Sequence, residues 1–295
     1  MKIYTSKKAE KQIKESYKNL LKLWNIPVKE IDVQGKYGST HVIEFGNDNL
    51  PPLVLFHGVG DDAALMWVYN ASELGKHFKC YAVDTIGGPG FSVPGAGYDK
   101  NFEDSVWIEE LLDSLGLTKV YLAGVSNGGY LTQSFMMDHP ERVIKGISMA
   151  GGIPMAGKKA AMSAMLKIFL PEALFPTDKN VVKLVKKMCG SNYSAFTENP
   201  VVFEHFKQLM LGFNRKAMLN HKVRKYPIEK IETLRNRCLY IFGEKDPFIK
   251  GLGLDYVKNT MEQLKMNTLW FEDSGHGINH ESAKEVNSAI IEYLI

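Results

Sequence analysis

Short apolar runs that alternate with stretches of helical periodicity set the tightest limit on how this chain can fold. Leu53-Val54-Leu55-Phe56 ends abruptly at His57-Gly58-Val59-Gly60, and Cys80 to Val83, Val120 to Val125, Val143 to Met149, Cys238 to Phe242 and Thr268 to Phe271 repeat the theme. The first of these, an apolar run without polar alternation, reads as a strand buried on both faces, and the others read as further strands. Helical stretches over 101–115, 127–138, 254–265 and 280–295 alternate with them, which predicts an α/β fold with a mostly parallel sheet covered by helices on both faces. Upstream, Ile31 to Val33 and His41 to Phe45 flank Gly35-Lys36-Tyr37-Gly38 and read as an antiparallel hairpin. Ile13, Tyr17, Leu20, Leu21 and Trp24 recur at helical spacing, so 6–24 is expected to be an amphipathic leading helix that covers the sheet.

The alternation stops between Gly152 and about Thr233, where helical periodicity is punctuated by Pro154, Pro171, Pro176, Pro200 and Pro227 and no strand is evident. The expected organisation is a core of residues 1–151 and 234–295, with 1–28 as its leading segment, and a helical cap inserted at 152–233. Such a cap would lie over the carboxyl edge of the sheet, where ligands bind in folds of this kind. A length of 295 residues suits one large domain with an insertion. The cap carries Met155, Met162, Met165, Met188, Met210 and Met218 together with Phe169, Phe175, Phe196, Phe203, Phe206 and Phe213. These side chains suit either an ordinary small core or an adaptable surface for apolar ligands. Fourteen Lys/Arg against six Asp/Glu make 152–233 basic, whereas the whole chain has a formal charge of only +3. That asymmetry is either a solvated helix face or a field that draws in anions.

No Lys/Arg run marks a nucleic-acid groove, so nucleic acid is not an expected partner. Cys80, Cys189 and Cys238 are widely spaced and form no Cys/His ligand set, which suggests neither a disulfide framework nor a metal site. Residues 9–20 are too polar for a secretory signal, and no stretch approaches the roughly 20 apolar residues of a membrane helix. A soluble, cytoplasmic protein without a membrane partner is the expectation; the oligomeric state is not legible.

The residues that carry chemistry begin with Gly124-Val125-Ser126-Asn127-Gly128-Gly129, placed between a predicted strand and a predicted helix. In that context G-x-S-x-G is a nucleophile elbow: the turn is so tight that Gly124, Gly128 and Gly129 are needed around the serine, whose hydroxyl is pushed above the sheet. A hydroxyl is a poor nucleophile until a base takes its proton, and that base needs a carboxylate to fix its tautomer. His276, in Asp273-Ser274-Gly275-His276-Gly277 after the last strand, is the candidate base, with His280 its near rival. Asp246, in Phe242-Gly243-Glu244-Lys245-Asp246-Pro247, is the candidate acid, with Glu244 the alternative. The loop after strand 143–149, Ala150-Gly151-Gly152-Ile153-Pro154, holds no carboxylate. Two backbone N–H groups could hold a developing oxyanion: that of Asn127, opening a helix, and that of Val59, after Gly58 in the loop beside the elbow.

These motifs together carry a resemblance. Over residues 30–295 the chain resembles the α/β-hydrolase superfamily: the HG-x-G loop (57–60), the Asp84 turn, the elbow (124–129), the GExD loop (243–246) and the Gly275-His276 pair occur in family order. Within it the chain is similar to small bacterial carboxylesterases with a helical cap between the sixth and seventh strands. The resemblance implies a sheet of about eight strands with the second antiparallel, the triad Ser126, Asp246 and His276, and hydrolysis of a small ester with an apolar part through an acyl-enzyme, without cofactor or metal. One departure concerns the turn Asp84-Thr85-Ile86-Gly87-Gly88-Pro89-Gly90-Phe91-Ser92, a residue longer than the D-x-x-G-x-G-x-S of many relatives. Carbon–carbon or peroxide chemistry on the same triad, and a ligand sensor that docks a partner protein with little turnover, are the competing readings.

Overall fold

The computed structural model describes residues 2–153, 168, 172 and 177–295. Met155, Met162, Met165, Phe169 and Phe175 of the predicted cap, and Pro154, Pro171 and Pro176, lie outside the described residues.

Nine strands form one sheet: β1 (Val28–Gly35), β2 (Gly38–Phe45), β3 (Pro52–Phe56), β4 (Lys79–Val83), β5 (Val93–Pro94), β6 (Val120–Val125), β7 (Val143–Met149), β8 (Cys238–Gly243) and β9 (Asn267–Phe271). The order is β1-β2-β4-β3-β6-β7-β8-β9, and β5 is a two-residue ladder beside β2. β2 runs antiparallel to both β1 and β4, and every later pairing along the path is parallel. The eight expected strands are therefore present, with the second antiparallel, and β5 is the addition.

Burial on both faces follows from the apolar runs. Leu53 and Leu55 of β3 join one core with Ile13, Tyr17 and Leu20 of the leading helix and Val286 and Ile290 of the last. Val54 and Phe56, pointing the other way, join the opposite core with Ile108, Leu111, Leu131 and Phe135. Each such side chain contributes about 1.5–3 kcal/mol when fully buried. The edge strand β1 alternates half-buried and exposed positions only around Ile31–Val33, which is why that part of it is legible as strand and the rest is not. The leading helix spans Lys7–Leu23, with the Ser6 hydroxyl accepting the Ala9 N–H as its N-cap. It packs against the helix Pro200–Gly212 so closely that a Cβ on Gly212 would come 2.9 Å from Ala9 Cβ and Ile13 Cδ1.

Helix bounds differ from expectation where backbone geometry intervenes. Gly253, at φ +95, separates Pro247–Leu252 from Leu254–Gln263, and Ser282 separates Ile278–Glu281 from Ala283–Leu294. Between β7 and β8 the described residues form helices Asp178–Met188, Ser194–Thr197, Pro200–Gly212 and Ile228–Glu232 and a 3-10 turn at Arg215–Met218. An isolated bridge, Tyr4 with Phe213, flanked by the Thr5 N–H to the Gly212 carbonyl at 2.8 Å and the Asn214 N–H to the Ile3 carbonyl at 2.8 Å, also ties this segment to the N-terminus.

Candidate active site

At the carboxyl end of β6 the chain turns straight into the helix Asn127–Asp138, and the turning residue is Ser126 at φ 56, ψ −113. Few non-glycine residues hold such a backbone, so its neighbours must impose it. The Ser126 N–H donates to the Met149 carbonyl at 2.8 Å, and its carbonyl accepts the Tyr130 N–H at 3.1 Å. The glycines make the turn possible: a Cβ on Gly124 would lie 2.1 Å from the Gly128 carbonyl oxygen, and one on Gly128 2.2 Å from the Phe56 oxygen. Gly129 leaves room for the Ser148 hydroxyl, 2.7 Å from where its Cβ would be.

The loop after β3 lies beside this turn, since a Cβ on Gly58 would sit 3.2 Å from Ser126 Cβ. His57 fixes that loop. Its buried Nε2 accepts the Thr85 N–H at 2.8 Å, so Nδ1 carries the proton and donates to the Gly58 carbonyl, also at 2.8 Å. Burial pushes the imidazole down to about 4, which keeps it neutral. Val59 is then exposed at the tip of the loop. Asn127 opens its helix, where the first N–H groups have no intrahelical acceptor.

Asp246 caps the helix Pro247–Leu252, its Oδ1 accepting the Phe248 N–H at 2.8 Å, while Oδ2 lies 2.8 Å from Nδ1 of His276. The carboxylate is wholly buried, and the Phe248 ring packs on the imidazole with centroids 4.6 Å apart. Burial alone would push His276 down, but the Asp246 charge and hydrogen bond, helped by Asp61 and Glu281, outweigh it and hold the imidazole above its ordinary value. Glu244 instead pairs with Lys258. His280 turns its Nε2 to the Leu65 carbonyl at 2.9 Å on the side of the sheet that the leading and last helices cover, and burial lowers it to about 4. Among the two carboxylates and two histidines weighed from sequence, Asp246 and His276 meet.

Residues that sequence reasoning passed over also stand here. Asp61 follows the 57–60 loop, its Oδ2 3.6 Å from where a Cβ on Gly58 would be, and burial with the Asp62 charge raises it to about 7. Arg215 reaches the same loop, Nε 3.9 Å from a Cβ on Gly60. The Asp61-Asp62 doublet after a glycine loop was the available signal for the first. Asp84 anchors the long turn: its Oδ2 accepts the Phe91 N–H at 2.8 Å, its Oδ1 the Ala63 N–H at 3.0 Å, and Gly90, at φ +107, passes so near that a Cβ would be 2.2 Å from Oδ2. No group of three or more His, Cys, Asp or Glu side chains among the described residues has the arrangement of a metal site.

Comparison with known proteins adds to this geometry. Residues 51–283 match the family model described as alpha/beta hydrolase fold. The chain is 35% identical over 288 residues to carboxylesterase YbfK of Bacillus subtilis (strain 168), covering 95% of this chain and 92% of that protein. It is 24% identical over 292 residues to the uncharacterized carboxylesterase nap of the same organism, covering 95% and 91%. The crystal structure of carboxylesterase CesB (YbfK) from Bacillus subtilis superposes with a TM-score of 0.81 over 97% of this chain and 98% of that one, at 22% identity in the superposition.

Proposed function

Because the chain belongs to the α/β-hydrolase fold family, we propose that it is a serine hydrolase that cleaves carboxylic esters through an acyl-enzyme. Ser126 is the nucleophile, His276 the general base and Asp246 the acid that orients it. The observation that carries this reading is the 2.8 Å bond from Asp246 Oδ2 to His276 Nδ1: with Nδ1 engaged, Nε2 is the nitrogen left to accept the serine proton.

In the proposed cycle Ser126 Oγ attacks the ester carbonyl carbon as its proton passes to His276 Nε2. The Val59 and Asn127 N–H groups hold the oxyanion, an effect worth roughly 3 kcal/mol per donor. Collapse breaks the bond to the alcohol oxygen, which leaves with the proton from His276. Water then repeats the sequence on the acyl-enzyme, releasing the acid and restoring the serine hydroxyl. Gly58, Gly124, Gly128 and Gly129 serve by letting the two loops approach. The organisation we propose is a core of 1–151 and 234–295 with a cap at 152–233, supported by the described residues 177–233, whose regular elements are helices and one 3-10 turn with no strand among them.

The substrate is a small ester, a reading supported by the carboxylesterase relatives, and an apolar part suits the methionines and phenylalanines of 152–233. No described helix is long and apolar enough to cross a membrane. A cytoplasmic location belongs to the same reading, supported by three free, buried thiols.

A fluorophosphonate probe tests the proposal: one adduct is expected, on Ser126, and lost in Ser126→Ala. Native protein that takes no label would end the enzyme reading in favour of a ligand sensor. A series of p-nitrophenyl esters reads the acyl pocket, and equal rates from acetate to palmitate would refute a confined apolar site.

A further inference from the structure

The loop that carries His276 is held by a second carboxylate that the triad does not use. Glu281 is 5% exposed and accepts the Gly275 N–H on both oxygens, at 3.0 Å and 3.1 Å, and the Gly190 N–H on Oε2. The His276 N–H donates to the Met188 carbonyl at 2.7 Å, and the Ser191 N–H to the Asp273 carbonyl at 2.9 Å. Asn192 Nδ2 closes the set by donating to the Glu281 carbonyl at 2.6 Å. Residues 188–192, at the end of the helix Asp178–Met188 and just after it, are thus laced to the loop 273–277, with the Glu281 carboxylate as the acceptor shared by Gly190 and Gly275. The approach leaves no room for side chains: a Cβ on Gly190 would be 1.7 Å from the Asp273 oxygen, and one on Gly275 2.2 Å from the Met188 oxygen.

We propose that Glu281 is a positioning residue for the base: its carboxylate ties the Ser274–Gly275 peptide, one residue before His276, to Gly190 and so sets where the imidazole stands relative to Ser126. The inference rests on the reading of His276 as general base. A carboxylate suits the task because two converging N–H donors bind a charged acceptor more strongly than a neutral one. An apolar replacement would leave the buried Gly275 N–H and the half-buried Gly190 N–H without this acceptor. The charge acts as well, since Glu281 is among the groups that raise His276. Facing Glu281 are the Cys189 thiol and Asp246, and along the groove beside it lie Glu198, Glu285 and Lys284. His276 is faced by Asp246, Asp61 and Glu281. A mechanical consequence follows: the segment between β7 and β8 supplies a hydrogen-bond acceptor to the base's own backbone, so displacement of the Met188 end of its helix is passed to His276.

The test compares wild type, Glu281→Gln and Glu281→Ala by fluorophosphonate labelling rate and by kcat/KM against pH on a neutral ester. Glu281→Gln keeps one acceptor oxygen and is expected to lose about ten-fold in kcat and in labelling rate, with KM within about two-fold of wild type. Its acid limb moves to lower pH, because a negative charge beside His276 is gone. Glu281→Ala loses more; should it fail to fold, Glu281→Gln decides alone. Labelling of folded Glu281→Gln at the wild-type rate, or a loss of rate with an unmoved acid limb, overturns the inference while leaving the triad standing. Wild-type protein that does not label removes the general-base reading and this inference with it.

Discussion

Asp62 Oδ2 and His205 Nε2 lie 2.8 Å apart with both side chains shut off from solvent. Asp62 also caps the helix Ala63–Met66, its Oδ1 accepting the Leu65 N–H at 3.0 Å, and His205 Nδ1 is 2.6 Å from the Ser16 hydroxyl. One contact therefore joins the leading helix, the helix Pro200–Gly212 and the loop that flanks Ser126. Removing one partner leaves a buried polar group without its hydrogen bond, which costs about 1–3 kcal/mol. His205→Leu should lose that much in urea unfolding with an unchanged m-value. A loss below about 1 kcal/mol would show that the Asp62 carboxylate reaches another donor.

The strained backbone of Ser126 predicts a trade of stability against activity. A non-glycine residue in this region costs about 1–3 kcal/mol, whereas glycine enters it freely. Ser126→Gly should abolish turnover, as Ser126→Ala does, yet be more stable than Ser126→Ala by about 1 kcal/mol. Both lack the hydroxyl, so their difference in thermal midpoint isolates the backbone. Equal midpoints would mean that the elbow holds no strain at this residue.

The Asp246–His276 contact predicts a pH dependence of definite sign. On the proposed reading His276 must be neutral to accept the serine proton, and it is held above its ordinary 6.5. The rate kcat/KM should therefore fall as pH drops through a value above 6.5. Asp246→Asn removes the Asp246 charge that holds the imidazole up, so the limb moves to lower pH, and the maximal rate falls by about 10⁴-fold as the tautomer is lost. Glu244→Ala should change the rate by less than about two-fold, its carboxylate being engaged by Lys258. A limb that stays in place in Asp246→Asn would assign it to a group other than His276.

How much of this could be read from the chain depends on whether the signal is local. The elbow is legible because glycine spacing around Ser126 is dictated within six residues, and the strands because Leu53 to Phe56 and Cys238 to Phe242 are apolar without alternation. Asp246 and His276 are legible as loop residues after successive strands, but the choice of Asp246 over Glu244 is a matter of which oxygen the fold turns inward. Contacts that span the chain leave no such trace. Nothing near His205 announces Asp62, and nothing near Gly190 announces Glu281. The extra residue in the Asp84 turn is visible in sequence, whereas the reason Gly90 is needed, its passage over the Asp84 carboxylate, appears only in three dimensions.

The charge distribution carries the last prediction. Residues 152–233 hold fourteen Lys/Arg against six Asp/Glu, and one of those cations, Arg215, lies beside the Gly60 end of the loop flanking Ser126. If that excess steers substrate, an ester bearing a carboxylate should lose about three-fold or more in kcat/KM as salt shortens the screening length from about 10 Å at 0.1 M to about 3 Å at 1 M. A neutral ester of the same size should not respond. Arg215→Gln should weaken the salt response of the anionic ester while leaving the neutral one near its wild-type rate, because only the former feels the lost charge at close range. Equal salt responses for the two esters would reduce the basic surface to a solvated helix face.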